Sequence, residues 1–118
     1  MIVGYSRISH SSQDHAAQID ALEKAGFELI FVETATGTRI HRPELWKMLD
    51  FLRPDDQCIV YRLDRLSRNL RDLLNLLDRF EDKGIGLRSL SEALDTATPS
   101  GRLALHMLAA LSQHEIES

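Results

Sequence analysis

Short apolar runs alternate with longer amphipathic runs along this chain, and this alternation constrains the fold more than any other feature. The apolar runs predict four strands, over Ile2–Ile8, Phe27–Val32, Cys58–Tyr61 and Gly86–Leu90. Strands that are separated by helices pair in parallel, because each crossover helix returns the chain to the same edge of the sheet. We therefore predict an α/β fold of three layers, with an open, mostly parallel sheet and flanking helices on both faces.

Apolar spacing and end signals predict four helices. These helices run from Ser11 or Ser12 to Ala25, from Pro43 to Leu52, from Leu66 to Lys83, and from about Arg102 to the end of the sequence. Gly26 and Gly84 follow two of them and are typical stop signals. The stretch Ser91–Thr98 is predicted to be a loop.

The last predicted helix is apolar around most of its circumference, and no stop signal precedes Ser118. A helix on the surface of a single domain shows a narrower apolar stripe. We interpret residues 1–101 as the domain core and residues 102–118 as the start of a long carboxyl-terminal helix that packs on another subunit. A helix buried in the core of a small domain is the alternative.

The 118 residues suit one domain, and the formal net charge is −4. A free-standing DNA-binding domain is usually basic, so this charge argues against nucleic acid unless positive charge is local or a DNA-gripping part is missing. The single cysteine, Cys58, excludes an internal disulfide and predicts a buried, inert thiol. No export signal or membrane-length apolar run is present, and we expect a cytoplasmic protein.

The end of the first strand carries a group of polar side chains. Residues two apart on a strand point to the same face, so Tyr5, Arg7 and Ser9 share one face. In open α/β sheets ligands bind at the carboxyl edge, where Ser9 lies. An arginine beside a hydroxyl at that edge favours a phosphate ligand. The alternative is that Ser9 only caps the following helix.

Arginines recur at every third position after the third strand, at Arg62, Arg65, Arg68 and Arg71. Helical residues three apart are neighbours, so this segment predicts a basic ridge that begins at the same edge as Ser9. Cations near a helix amino terminus are locally unfavourable, which indicates a bound anion. The alternative is a solvated face on which Asp64 and Asp72 pair with the arginines.

Other chemistries have no support in the sequence. The five histidines lack the spacing of metal ligands, no glycine-rich nucleotide loop is present, and no Ser–His–Asp arrangement can be argued. We predict no metal and no cofactor.

These segments resemble the motifs of serine recombinases, the resolvase/invertase family, and most of all those of DNA invertases. The likeness follows the family order over nearly the whole chain. It is carried by Tyr5–Ser9 with Gln18, Thr36–Thr38 with Arg42–Leu45, Leu63–Asn69, Leu87–Leu90, Asp95–Thr96, Pro99–Arg102 and Leu108–Leu111. Three residues depart from the family pattern, namely Ser67, His114 and Ile116. The departure at Ile116 replaces an arginine and puts late DNA or subunit contacts in doubt, but not the nucleophile.

The resemblance implies a role for each matching residue. Ser9 is implied to be the nucleophile that joins a DNA strand as a phosphoserine. Three arginines, Arg7, Arg65 and Arg68, are implied to surround the scissile phosphate, with the acid Asp64 close by. The expected supporting residues are Tyr5, Gln18, Thr36, Arg42 and Glu115, and the expected DNA contacts are Arg39 and Arg71.

The resemblance further implies site-specific recombination, by DNA cleavage and rejoining through a covalent 5′-phosphoserine intermediate. The implied partners are DNA and further copies of the chain, as a homodimer and as a tetramer when two sites are synapsed. Family members carry a helix-turn-helix domain after the last helix, so we expect this chain to be truncated. Two alternatives stay open: a non-catalytic α/β interaction module, and a serine-dependent phosphate-ester hydrolase.

Overall fold

The computed structural model describes residues 1–8, 12–34, 42–66, 70–104, 107 and 110. The strands in these ranges are β1 (Ile2–Ile8), β2 (Leu29–Thr34), β3 (Gln57–Val60), β4 (Gly86–Ser89) and β5 (Leu94–Asp95). The helices are α1 (Ser12–Ala25), α2 (Pro43–Phe51), α3 (Leu63–Leu66) and α4 (Leu70–Lys83). Residues 99–104 are also helical. None of the helices within the described ranges is both long enough and apolar enough to cross a membrane.

The strands form one sheet in the order β2-β1-β3-β4-β5. The first four strands are parallel, and only β5 runs antiparallel to its neighbour β4. In the register of the sheet Val3 pairs with Leu29 on one side and with Cys58 on the other. The predicted α/β class with a mostly parallel sheet is therefore confirmed.

The main apolar core lies on one face of the sheet, between the strands and helices α2 and α4. Val3 and Tyr5 of β1, Met48 of α2 and Phe80 of α4 are all buried in this cluster. The alternate residues of β1 face the other way, and Ser6 contacts α1 there. Helices therefore cover both faces of the sheet, as the predicted three-layer arrangement requires.

Element boundaries differ from the prediction where contacts between distant segments decide them. Strand β2 begins at Leu29 instead of Phe27, because its pairing with β1 begins at Val3. Helical structure begins at Leu63 in α3, three residues before the predicted start at Leu66, and α4 ends at Lys83 as predicted. The loop predicted over Ser91–Thr98 contains β5, which is too short to show a periodic pattern. These predictions were wrong in detail, while the order of the elements was right.

The last helix begins at residue 99, three residues before the predicted start near Arg102. The Thr98 hydroxyl accepts the backbone N–H of Gly101 at 3.0 Å, which is the typical N-cap contact. Pro99 occupies the first turn, where its missing N–H costs nothing. The described start of this helix is therefore defined by its own capping residues.

We expect replacement of Gly101 by alanine to destabilise the domain by about 3 kcal/mol, because overpacking against rigid backbone has this order of cost. A Cβ at this position would lie 1.8 Å from the Asp95 carbonyl oxygen, so the chain between β5 and the last helix must move. Urea unfolding followed by the fluorescence of the single tryptophan, Trp46, measures the change. The neighbouring exposed Ser100→Ala is the control, and equal stabilities of the two variants would contradict the prediction.

Cys58 lies in the core, as predicted, and its sulfur contacts the Met48 sulfur at 3.7 Å. Burial raises the pKa of the Cys58 thiol to about 12, so almost no thiolate forms at neutral pH. We expect Cys58 to react with a disulfide reagent only as fast as the protein unfolds. Absorbance of the released thiol in buffer and in concentrated guanidinium tests this, and rapid labelling of the folded protein would refute it.

Candidate active site at the carboxyl edge of the sheet

The carboxyl end of β1 is tied to α1 and α3 through residue Arg7. The Arg7 carbonyl oxygen accepts the Gln18 side-chain amide at 3.0 Å and the Arg65 guanidinium at 3.5 Å. The Arg7 guanidinium donates in turn to the Asp64 carbonyl oxygen at 2.8 Å. Two predicted arginines, Arg7 and Arg65, are therefore brought together at the end of the strand that leads to Ser9.

Helix α3 places Asp64 and Arg65 side by side at this edge. The Asp64 carboxylate lies 3.3 Å from the Arg62 Nε atom and 4.0 Å from the Arg65 Nε atom. Neither Nε group makes an aligned hydrogen bond, so both contacts are ion pairs of loose geometry. The Asp64 side chain is 54% exposed and that of Arg65 only 14%. Exposed pairs of this kind contribute little to stability. The partly buried guanidinium of Arg65 is the more informative feature, because a cation that is partly removed from water favours an anion beside it.

Gln18 fixes the backbone at the end of β1 from the α1 side. Its side chain is fully buried, and its oxygen accepts the Ser6 hydroxyl at 3.1 Å while its nitrogen donates to the Arg7 carbonyl. Both halves of the amide are used, so its orientation is determined. A residue that was predicted to support the site thus holds the strand end that carries Arg7.

Tyr5 lies on the Arg7 face of β1 and is completely buried. Its hydroxyl donates to the Glu33 carboxylate at 3.3 Å. Burial raises the pKa of Tyr5 well above its ordinary value, and the negative charge of Glu33 raises it further, while Arg42 and Arg7 oppose this rise. The phenol therefore stays protonated at all working pH values and serves as a hydrogen-bond donor.

Arg42 precedes α2 and is also nearly buried. Its guanidinium donates to the carbonyl oxygen of Leu66, the last residue of α3. The contact joins the start of α2 to the helical segment that holds Arg65. Arg42 therefore belongs to the same group of contacts as Arg7 and Arg65, as predicted for a supporting residue.

Two glutamates take part in this edge that the sequence pattern did not single out. Glu33 accepts hydrogen bonds from Tyr5 and from backbone N–H groups of α2. The Glu92 carboxylate accepts the Leu63 N–H at 3.3 Å and the Ser89 hydroxyl, so it holds the first turn of α3. The charge of Glu33 at the end of an apolar strand was a usable signal. Nothing local marked Glu92.

Contacts join six described site residues at one edge, namely Tyr5, Arg7, Gln18, Arg42, Asp64 and Arg65, and Arg71 is exposed in the first turn of α4. Among the residues described, no cluster of His, Cys, Asp or Glu could hold a metal ion. The described edge can therefore bind an anion, since the cations Arg7 and Arg65 lie there among further arginines and fixed hydrogen-bond donors. Five further predicted site residues lie outside the described residues: Ser9, Thr36, Arg39, Arg68 and Glu115.

Comparison with known proteins finds relatives that match nearly the whole chain. The family described as "Resolvase, N terminal domain" matches residues 2–118. The DNA-invertase of Escherichia phage P1 is 44% identical over 99% of this chain and 63% of its own length. The serine recombinase gin of Escherichia phage Mu is 39% identical over 99% of this chain and 61% of its own length. The chain thus spans about three fifths of these relatives.

A solved structure extends the likeness to three dimensions. The crystal structure of the N-terminal catalytic domain of TP901-1 integrase matches with a TM-score of 0.80 and 32% identity, over 98% of this chain and 96% of that one. A resolvase family site-specific recombinase from Streptococcus pneumoniae, with a TM-score of 0.70 and 19% identity, shares the fold. The resemblance that the motifs indicated is confirmed, and this chain belongs to the resolvase N-terminal domain family.

Proposed function

We propose that this chain is the catalytic domain of a serine recombinase and acts in site-specific recombination, with Ser9 as the nucleophile. The observation that carries the proposal is the meeting of Arg7 and Arg65 at the carboxyl end of β1. Ser9 follows Arg7 by two residues in the sequence. Cations beside a hydroxyl at this edge can bind a phosphate and stabilise negative charge on the phosphate oxygens.

The proposed reaction is a phosphoryl transfer from the DNA 3′ oxygen to the Ser9 oxygen. The Ser9 oxygen attacks a DNA phosphorus, the bond from phosphorus to the 3′ oxygen breaks, and that oxygen takes up a proton. The serine proton passes to a base, and the 5′ end of the strand stays joined to the enzyme. Rejoining reverses these steps with another 3′ hydroxyl. Since the covalent bond keeps the energy of the broken one, no nucleotide is needed.

The arginines are proposed to stabilise the charge that grows on the phosphate oxygens in the transition state. Arg7, Arg65 and Arg68 take this role, and Asp64 is an acid of the site. The support for Arg65 is the low exposure of its side chain, 14%, since the attraction between a guanidinium and an anion is stronger where both are partly shielded from water. Supporting roles are proposed for Tyr5, Gln18, Thr36, Arg42 and Glu115, and DNA contacts for Arg39 and Arg71.

The domain organisation is proposed as a core over residues 1–101 and the start of a long helix over residues 102–118. The exposed apolar side chains Leu103 and Met107 support a second copy of the chain as the partner of this helix. We propose a homodimer on one DNA site and a tetramer when two sites are joined. A DNA-binding part beyond this chain would supply most of the affinity for DNA.

A trapping experiment tests the function against its alternatives. The full-length protein is mixed with nicked suicide duplexes that tile the DNA flanking its gene, and the products are separated under denaturing conditions. A protein–DNA adduct whose DNA-linked peptide contains Ser9 is the expected result. Phosphate release from small esters without an adduct would indicate a hydrolase instead. Neither activity would indicate an interaction module.

A further inference from the structure

Helix α2 begins without a cap from its own segment. Its N-cap residue, Arg42, makes no side-chain capping hydrogen bond, and Pro43 in the first turn has no N–H to offer. The next two N–H groups both reach the Glu33 carboxylate of β2. Glu44 N lies 3.3 Å from one carboxylate oxygen and Leu45 N lies 3.2 Å from the other. A neighbouring strand therefore supplies the cap that the helix lacks.

Glu33 carries out this capping from inside the protein, since it is only 3% exposed. A buried carboxylate is costly unless it is hydrogen-bonded and faces positive charge. Here the two N–H groups, the positive end of α2 and the Tyr5 hydroxyl all satisfy it. The positive charges of Arg42 and Arg7 act on the Tyr5 hydroxyl, which itself donates to this carboxylate.

The contacts of Glu33 lead into the candidate active site. The helix turn that it holds follows directly from Arg42, whose guanidinium reaches the last carbonyl of α3 at Leu66. The residue before Leu66 is Arg65, which bonds to the Arg7 carbonyl. One chain of contacts thus runs from the end of β2 through the start of α2 to the arginines at the end of β1.

We propose, resting on the function proposed above, that Glu33 is a positioning residue of the recombination reaction. It holds the first turn of α2 so that the Arg42 guanidinium stays on the end of α3, beside Arg65. Its proposed action is indirect, through the backbone of α2 and Arg42. Its loss is expected to slow the covalent step while DNA affinity stays the same.

A double-mutant cycle on the full-length protein tests the proposal, with the adduct rate on the trapped duplexes as the readout. Glu33→Gln keeps the shape but puts an amide donor against an N–H group of α2, so we expect the rate to fall by about 10- to 100-fold. If Glu33 acts through Arg42, the two substitutions are not additive. In an Arg42→Lys background, Glu33→Gln is then expected to lower the adduct rate by less than about threefold. DNA affinity, measured on the same duplexes, is expected to stay within about twofold.

Glu28→Gln is the matched control. Glu28 is an exposed glutamate just before β2 that also accepts a backbone N–H, from Ile2 at 3.1 Å, but at the opposite edge of the sheet. Its adduct rate should equal that of the wild type. Melting curves of all variants show whether each is folded at the assay temperature, and rates are compared only below the melting range.

The outcomes separate this inference from the proposed function. A wild type without any adduct refutes both together. If the wild type forms the adduct, two results overturn the inference alone. One is that the rate effects of the Glu33 and Arg42 substitutions multiply fully in the double variant. The other is that DNA affinity falls in parallel with the adduct rate in Glu33→Gln. Amide hydrogen exchange gives a second readout that needs no activity. We expect the N–H groups of Glu44 and Leu45 to exchange at least about tenfold faster in Glu33→Gln, and unchanged exchange would overturn the cap itself.

Discussion

Replacement of Ser9 by alanine in the full-length protein is expected to remove the covalent DNA adduct completely. No other group can form the phosphoserine bond, so the cleavage rate should fall by at least about 10⁴-fold, into the background of the assay. DNA affinity should change less than about twofold, because affinity comes mainly from contacts to the DNA backbone. Single-turnover adduct formation and binding to the same duplexes measure the two effects.

Ser91→Ala is the control for the Ser9 variant. Ser91 is exposed after β4, and its backbone N–H bonds to the Tyr61 carbonyl at 2.9 Å, a contact that alanine keeps. Its adduct rate should match that of the wild type. An adduct of normal yield in Ser9→Ala would show that another residue is the nucleophile and would end the proposed mechanism.

Removal of the Arg65 side chain is expected to have the next largest effect. We expect Arg65→Ala to lower the adduct rate by about 10²- to 10³-fold, the usual cost of losing one donor that stabilises a transition-state charge. Arg65→Lys keeps the charge but loses the planar fork, and an intermediate rate is expected. The structural reason is that the Arg65 side chain is only 14% exposed and its guanidinium bonds to the Arg7 carbonyl. Water is therefore a poor substitute for the guanidinium in the alanine variant.

The control for Arg65 is Arg53→Ala. Arg53 is an exposed arginine before β3, at the amino edge of the sheet, where no site residue lies among those described. Its adduct rate should stay within about twofold of the wild type, since surface substitutions away from special features have small effects. If both arginine variants lose the same activity, the effect is one of net charge, and the local role of Arg65 is wrong.

The sequence alone determined the class of the fold and the edge where the candidate site lies. A short apolar run marked Ile2–Ile8 with the correct bounds, and periodicity of 3.6 marked the helices, because burial imposes both patterns locally. The parallel order then brings the end of β1 and the start of α3 to the same edge. That Arg7 and Arg65 meet could therefore be predicted from spacing and topology.

Only the tertiary structure decided which groups hold the ends of these elements in place. The cap of α2 comes from Glu33, the first turn of α3 is held by Glu92, and Gly101 leaves room for the Asp95 carbonyl. Each of these contacts joins separate elements or leaves no periodic trace. A sequence pattern records which face of an element is buried, because that preference repeats along the chain. A single hydrogen bond between distant residues does not repeat, and it is defined only when the sheet and helices have packed.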